Sequence, residues 1–176
     1  MTEEKHTISL LVDNQPGVLS RITGLFSGRG FNIESLCVAE TMDSMVSRIT
    51  LVTRGDQLII EQINKQLNKL VNVIKIHDLT GTDFVEREMA LVRVKAKPEH
   101  RAEILRLIDI FRCKVVDVGP THYTIEVTGT WGKLAALLDL LKPMGINEIA
   151  RTGSIALARD KKKTNNIQKE ANHGKG

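Results

Sequence analysis

Apolar residues in this chain pass twice through the same alternation of strand and helix periods, and that repetition limits the folds open to it more than any other feature. In the first pass, His6–Val12 is a β-branched and Leu-rich run that stops at Asp13-Asn14-Gln15-Pro16-Gly17. Val18, Leu19, Ile22, Leu25 and Phe26 then share one helical face, which closes at Gly28-Arg29-Gly30. Asn32–Glu40 and Val46–Thr53 read as strands joined by a hairpin. Asp56 is placed to cap a second helix bearing Ile59, Ile60, Ile63, Leu67 and Leu70, and Val71–Leu79 supplies a fourth strand.

The second pass follows a polar, glycine-containing connection, Thr80–Arg87. Met89–Lys95 is strand-like, and Pro98 opens a helix with Ile104, Leu107, Ile108 and Phe111 on one face. Val115–Val118 and Tyr123–Val127 pair, and Thr130 caps a helix carrying Leu134, Leu137, Leu138 and Leu141. Ile146–Ala150 and Ser154–Ala158 supply the last strand, interrupted at Arg151-Thr152-Gly153. The expected fold is α+β, two ferredoxin-like βαββαβ domains in tandem, over 1–80 and 88–159 with a linker at 81–87. Helices cover one face of each sheet, so the other face needs a partner or water. Units this small, with Ile8–Val12 and Ile49–Val52 apolar on both sides of the pleat, predict homodimerisation through the sheets or their edges.

Composition removes several function classes. The net charge of +4 over 176 residues is concentrated at the end, where Asp160–Gly176 holds five Lys against one Asp and one Glu. The remaining 20 basic and 19 acidic side chains leave Met1–Arg159 at +1, a poor match to nucleic acid, whose binding rests on phosphate contacts. The segment 160–176 reads as a disordered basic tail, or alternatively as an electrostatic handle on an acidic partner. Phe26, Phe31, Phe84, Phe111, Tyr123 and Trp131 are too scattered for a base-stacking platform. Cys37 and Cys113 lie in separate halves, which argues against a disulfide framework or a thiolate metal site. No run approaches 18 apolar residues, so no membrane association is expected.

Catalytic constellations are likewise missing. His6, His77, His100, His122 and His173 have no metal-ligand spacing, and neither a nucleophile elbow nor a phosphate-binding lysine loop occurs. Gly28-Arg29-Gly30 follows a helix and lacks a third glycine, so it reads as a helix end and not as a dinucleotide loop.

Asp13-Asn14-Gln15-Pro16-Gly17-Val18-Leu19 is the segment with chemistry to offer. A strand there delivers the backbone into a helix expected to begin around Pro16, whose φ is preset and which has no N–H to leave unpaired. N–H groups from Gly17 and Val18 onward would then face a position of positive dipole character, and Gly17 has no Cβ to keep an anion away. Side-chain oxygens of Asp13 and Asn14 would accept from an ammonium group. A carboxylate site beside an ammonium site describes a free α-amino acid. The same residues are also good turn and cap chemistry without any ligand. Asn32, just after the first helix, reads either as a turn residue or as a second amide near this loop, of its own chain or of a partner.

The stretch Asp13-Asn14-Gln15-Pro16-Gly17-Val18-Leu19-Ser20-Arg21-Ile22, followed by Leu25-Phe26-Ser27 and Arg29-Gly30-Phe31-Asn32-Ile33-Glu34-Ser35-Leu36, resembles the start of an ACT domain, an amino-acid-sensing module. More narrowly it is similar to the regulatory small subunits of acetohydroxyacid (acetolactate) synthase, a likeness that continues through Glu61–Val71, Val85-Glu86-Arg87-Glu88 and Ala150-Arg151-Thr152-Gly153 and covers about residues 5–159. The resemblance implies that the first domain is an ACT domain that pairs with a second copy. It places a branched-chain amino-acid site, for valine, over Asp13, Asn14, Gln15, Pro16, Gly17, Val18 and Leu19, with Asn32 and Ile33 supplied by the partner copy.

The resemblance further implies a non-catalytic subunit that activates a catalytic large subunit and confers feedback inhibition by valine. Thiamine diphosphate, magnesium and FAD would belong to that large subunit only, since Gly55-Asp56-Gln57 lacks the second glycine of a thiamine-diphosphate motif. No cofactor is expected in this chain. The lack of a transit-like start implies a bacterial, cytoplasmic protein. Two rivals remain: a free-standing amino-acid-sensing regulator, for which no reading head is apparent, and a small acylphosphatase-like enzyme, which would need Arg21 or Arg29 in a phosphate cradle. Both arginines read as solvated helix charges.

Overall fold

The computed structural model describes residues 4–160; the basic tail expected at 160–176 lies outside the described residues from 161 onward. The first unit runs β1 (Glu4–Asp13), α1 (Val18–Ser27), β2 (Ile33–Glu40), β3 (Val46–Gly55), α2 (Gln57–Leu67) and β4 (Val73–Asp78). Its sheet has the order β2-β3-β1-β4 with every neighbour antiparallel. Strand alternation puts Ile8, Leu10, Val12, Ile49 and Leu51 on the helix side, where they bury against Ile22, Phe26, Ile60, Ile63 and Leu67. Asp56 caps α2 as its spacing predicts, accepting from Ile59 N–H at 2.9 Å.

The second unit runs β5 (Phe84–Lys95), α3 (Pro98–Ile110), β6 (Lys114–Val118), β7 (His122–Gly129), α4 (Trp131–Leu141), β8 (Ile146–Arg151) and β9 (Ile155–Ala158), with sheet order β6-β7-β5-β8. Pro98 occupies the first turn of α3, and Thr130 caps α4 with a longer bond, 3.4 Å from Lys133 N. A second apolar cluster, around Val92, Val94, Ile104, Ile125, Leu134 and Leu137, shares no residue with the first. Among the described residues no helix is long and apolar enough to cross a membrane.

Two expectations need correcting. Thr80–Arg87 is not wholly a connection: Phe84–Arg87 is the first part of β5, paired with Ile155–Ala158. Its strand character escapes the sequence because Glu86 and Arg87 interrupt the apolar pattern and its partner lies about 70 residues away. β8 and β9 both run antiparallel to β5 and differ by one residue in register, so they act as one strand kinked at Thr152-Gly153-Ser154. The second correction concerns the bare face of the first sheet. Thr7, Ser9 and Thr50 point away from the helices and are nevertheless buried, because β9 packs against β1. The chain covers part of that face itself, and among the described residues no strand pairs with the outer edge of β2.

Candidate functional site

Helix α1 begins one turn position later than the proline suggests. Gly17 is its N-cap, in a left-handed conformation (φ +85°), and Val18 is the first helical residue. Pro16 instead lies in a turn closed by Val18 N–H donating to Gln15 C=O at 3.3 Å. A left-handed residue cannot continue a right-handed helix, so Pro16 stays outside it. Val18 therefore offers no free amide, and its side chain belongs to the core. The N–H groups of Gly17, Leu19 and Ser20 find no protein acceptor among the described residues, and Asn14 to Gly17 are exposed. They form the positive end of a ten-residue helix.

Neighbouring side chains hold the loop from both sides. Asn14 N–H donates to Met45 C=O at 2.8 Å, and Asn14 Nδ2 donates to Ser44 C=O at 2.9 Å and Glu40 Oε1 at 3.1 Å. Gln15 N–H closes back on Asp13 C=O. Asp13 Oδ2 accepts from Asn72 Nδ2 at 3.0 Å, which ties this carboxylate to the residue that precedes β4. Arg21 is not a merely solvated charge: its Nη1 donates to Asn72 Oδ1 at 2.7 Å. Glu40, Ser44 and Asn72 carry no signal in the local sequence, because each meets the loop only through the sheet.

Asn32 and Ile33 lie at the opposite end of the sheet. Ile33 pairs with Thr53, whereas Asp13 pairs with Val46 and Glu40 with Ser47. Seven strand residues at about 3.3 Å each separate Ile33 from the loop end of β2, roughly 23 Å. Asn32 therefore does not meet the loop of its own chain. It is exposed, while its C=O accepts from Thr53 Oγ1 at 2.6 Å and fixes the entry to β2. Ile33 packs half-buried on the core.

A second polar cluster lies where the two units meet. Glu88, 4 % exposed, accepts from Arg151 Nε at 2.6 Å and Nη2 at 2.8 Å. That bond, against the opposing effect of burial, raises the Arg151 guanidinium above its ordinary value. Lys5 sits 3.7 Å from Glu86 and 5.0 Å from the Trp131 ring centre, beside a cleft of about 470 Å3. Among the described residues no group of His, Cys, Asp and Glu is arranged to hold a metal.

The βαββαβ order and its sheet define the first unit as an ACT-type module: residues 8–75 match the family described as the AHAS small subunit-like ACT domain. Residues 87–160 match the family described as the small subunit of acetolactate synthase. The chain belongs to the acetolactate synthase small-subunit family, whose members are regulatory and not catalytic subunits. It is 52% identical over 159 residues to the probable small subunit of Archaeoglobus fulgidus, covering 90% of this chain and 99% of that one. Against the small subunit of Aquifex aeolicus the identity is 51% over 158 residues, covering 89% and 82%. The crystal structure of the small subunit from Thermotoga maritima superposes with a TM-score of 0.81 at 42% identity, covering 90% of this chain and 99% of that one.

Proposed function

We propose that this chain is the regulatory partner of a catalytic acetolactate synthase subunit, that it activates that subunit, and that it transmits feedback inhibition by a branched-chain amino acid, valine first among them. The effector carboxylate docks on the free amides at Gly17, Leu19 and Ser20. Its remaining contacts come from Asn32 and Ile33 of a second copy. Thiamine diphosphate, magnesium and FAD belong to the catalytic subunit in this reading.

The observation that carries the proposal is the placement of the two half-sites at opposite ends of β2. Antiparallel pairing of two free β2 edges brings the Ile33 end of one copy to the Glu40 end of the other, where the Asp13–Leu19 loop lies. In this reading a single chain holds the anion half only. Discrimination among valine, leucine and isoleucine then rests on a methylene or two in an apolar pocket, about 1–3 kcal/mol.

Calorimetric titration of the full chain with valine, leucine and isoleucine tests this. Gly17→Asp places a carboxylate where the effector carboxylate docks and should abolish binding; Asn32→Ala should weaken it in proportion to the dimer present. Wild-type affinity in Gly17→Asp, or a wild-type chain that takes up none of the three, would overturn the assignment.

A further inference from the structure

The loop that carries the proposed anion site is tied down by Arg21 of α1 and by Asn72, which no local motif links to it. Arg21 Nη1 donates to Asn72 Oδ1 at 2.7 Å, and Asn72 Nδ2 donates to Asp13 Oδ2 at 3.0 Å. Two backbone bonds close the circuit: Asp13 N–H donates to Asn72 C=O at 3.0 Å, and Arg21 N–H donates to Gly17 C=O at 3.0 Å. The strand exit at Asp13 and the helix entry at Gly17 are thus both referred to one amide at the start of β4.

Chemistry fixes the orientation of that amide. A guanidinium only donates and an ionised carboxylate only accepts, so the Asn72 oxygen must face Arg21 and its nitrogen must face Asp13. The Asn72 amide thus bridges Arg21 and Asp13 and holds the Asp13 carboxylate toward itself. Without the bridge, the Asp13 carboxylate would be free to turn toward the loop amides and compete with a ligand carboxylate for them. We propose that Arg21 and Asn72 are positioning residues for effector binding, holding the Asp13–Leu19 loop with its Gly17, Leu19 and Ser20 amides outward and its Asp13 carboxylate turned aside. This rests on the amino-acid site proposed above for what the loop binds, but the latch itself is a property of the unliganded chain.

The test has one arm for each. Backbone amide exchange of the unliganded full-length chain reads the latch: Arg21→Met and Asn72→Leu should speed exchange at Asp13, Gln15 and Val18, whose N–H groups are hydrogen-bonded to Asn72 or within the loop, while leaving core amides such as Ile8 and Leu10 at their wild-type rates. Valine titration reads its consequence, with affinity in both variants falling roughly two- to tenfold, the equivalent of one ordinary hydrogen bond. A swap provides the rescue. Asn72→Asp alone sets two carboxylates against each other and should weaken binding, whereas Asp13→Asn combined with Asn72→Asp restores a donor facing an acceptor and should return exchange and affinity to within about threefold of wild type, again about the worth of one such bond.

Unchanged loop exchange in Arg21→Met, or a double variant no better than Asn72→Asp, overturns the latch. Faster loop exchange in a chain whose wild type takes up no valine supports the latch and overturns the effector reading instead. Faster exchange spread through the core overturns the positioning role in favour of a general loss of stability.

Discussion

The backbone N–H of Ser154 donates to the Ser35 hydroxyl at 3.0 Å, tying the last strand of the second unit to the edge strand of the first. Ser154 Oγ in turn donates to Glu86 at 2.8 Å, and Glu86 faces Lys5. The two apolar clusters share no residue, and these polar contacts join the units beside the packing of β9 on β1. β2 also carries Ile33, which places the junction and one proposed half-site on the same strand.

Gly153 allows that contact. It adopts φ +79°, and a Cβ there would lie 2.7 Å from Ser35 Oγ and 3.4 Å from Leu36 C=O. Gly153→Ala should cost about 1–3 kcal/mol through the left-handed backbone and the crowding together. Trp131, the sole tryptophan, lines the adjoining cleft, so its emission should shift to the red as the junction loosens. An unshifted spectrum with an unchanged unfolding midpoint would show that Ser35 yields without cost.

Arg151→Met strands the Glu88 carboxylate. Removing one member of a buried pair costs roughly 3–5 kcal/mol, and partial exposure of Arg151 puts the expected loss at the lower end. Chemical denaturation of the variant against wild type checks this loss. The replacement Glu88→Leu with Arg151→Met should recover most of the loss, since an apolar pair of similar volume is often neutral.

Local chemistry made much of this fold legible. Asp56, Pro98 and Thr130 announce helix starts because caps and first-turn prolines act within four residues, and the strand order follows from two clean periods. The late start of α1 was hidden because Pro16 and Gly17 both suit a helix opening, and only the left-handed φ at Gly17 decides between them. Phe84–Arg87 was hidden by its charges, and Arg21 by a 51-residue separation from the amide it holds. The loop was legible as a strand-to-helix turn; Asn72 and Glu40, which meet it across the sheet, were not.

The two legible caps should differ in worth. Asp56 accepts from Ile59 N–H at 2.9 Å and is only partly exposed, whereas Thr130 reaches Lys133 N–H at 3.4 Å and is exposed. Asp56→Ala should therefore cost about 1 kcal/mol or somewhat more, and Thr130→Ala less, near 0.5 kcal/mol. Thermal unfolding of the two variants checks the order, and equal losses would mean that the bond lengths do not report the capping energy.

Gly17 serves conformation before it serves space. A Cβ at this position would meet nothing within 4 Å, so the only penalty for a side chain is the φ of +85°. Gly17→Ala should cost about 1–2 kcal/mol, and Gly17→Asn distinctly less because its short amide tolerates the left-handed region. If the alanine variant escapes the penalty by turning right-handed, α1 extends toward Pro16 and the amides of Leu19 and Ser20 become helical donors to Gln15 and Pro16. Valine affinity should then fall in Gly17→Ala by more than in Gly17→Asn, although alanine is the smaller residue. The reverse ranking would show that open space above Gly17, and not its backbone conformation, is what the site requires.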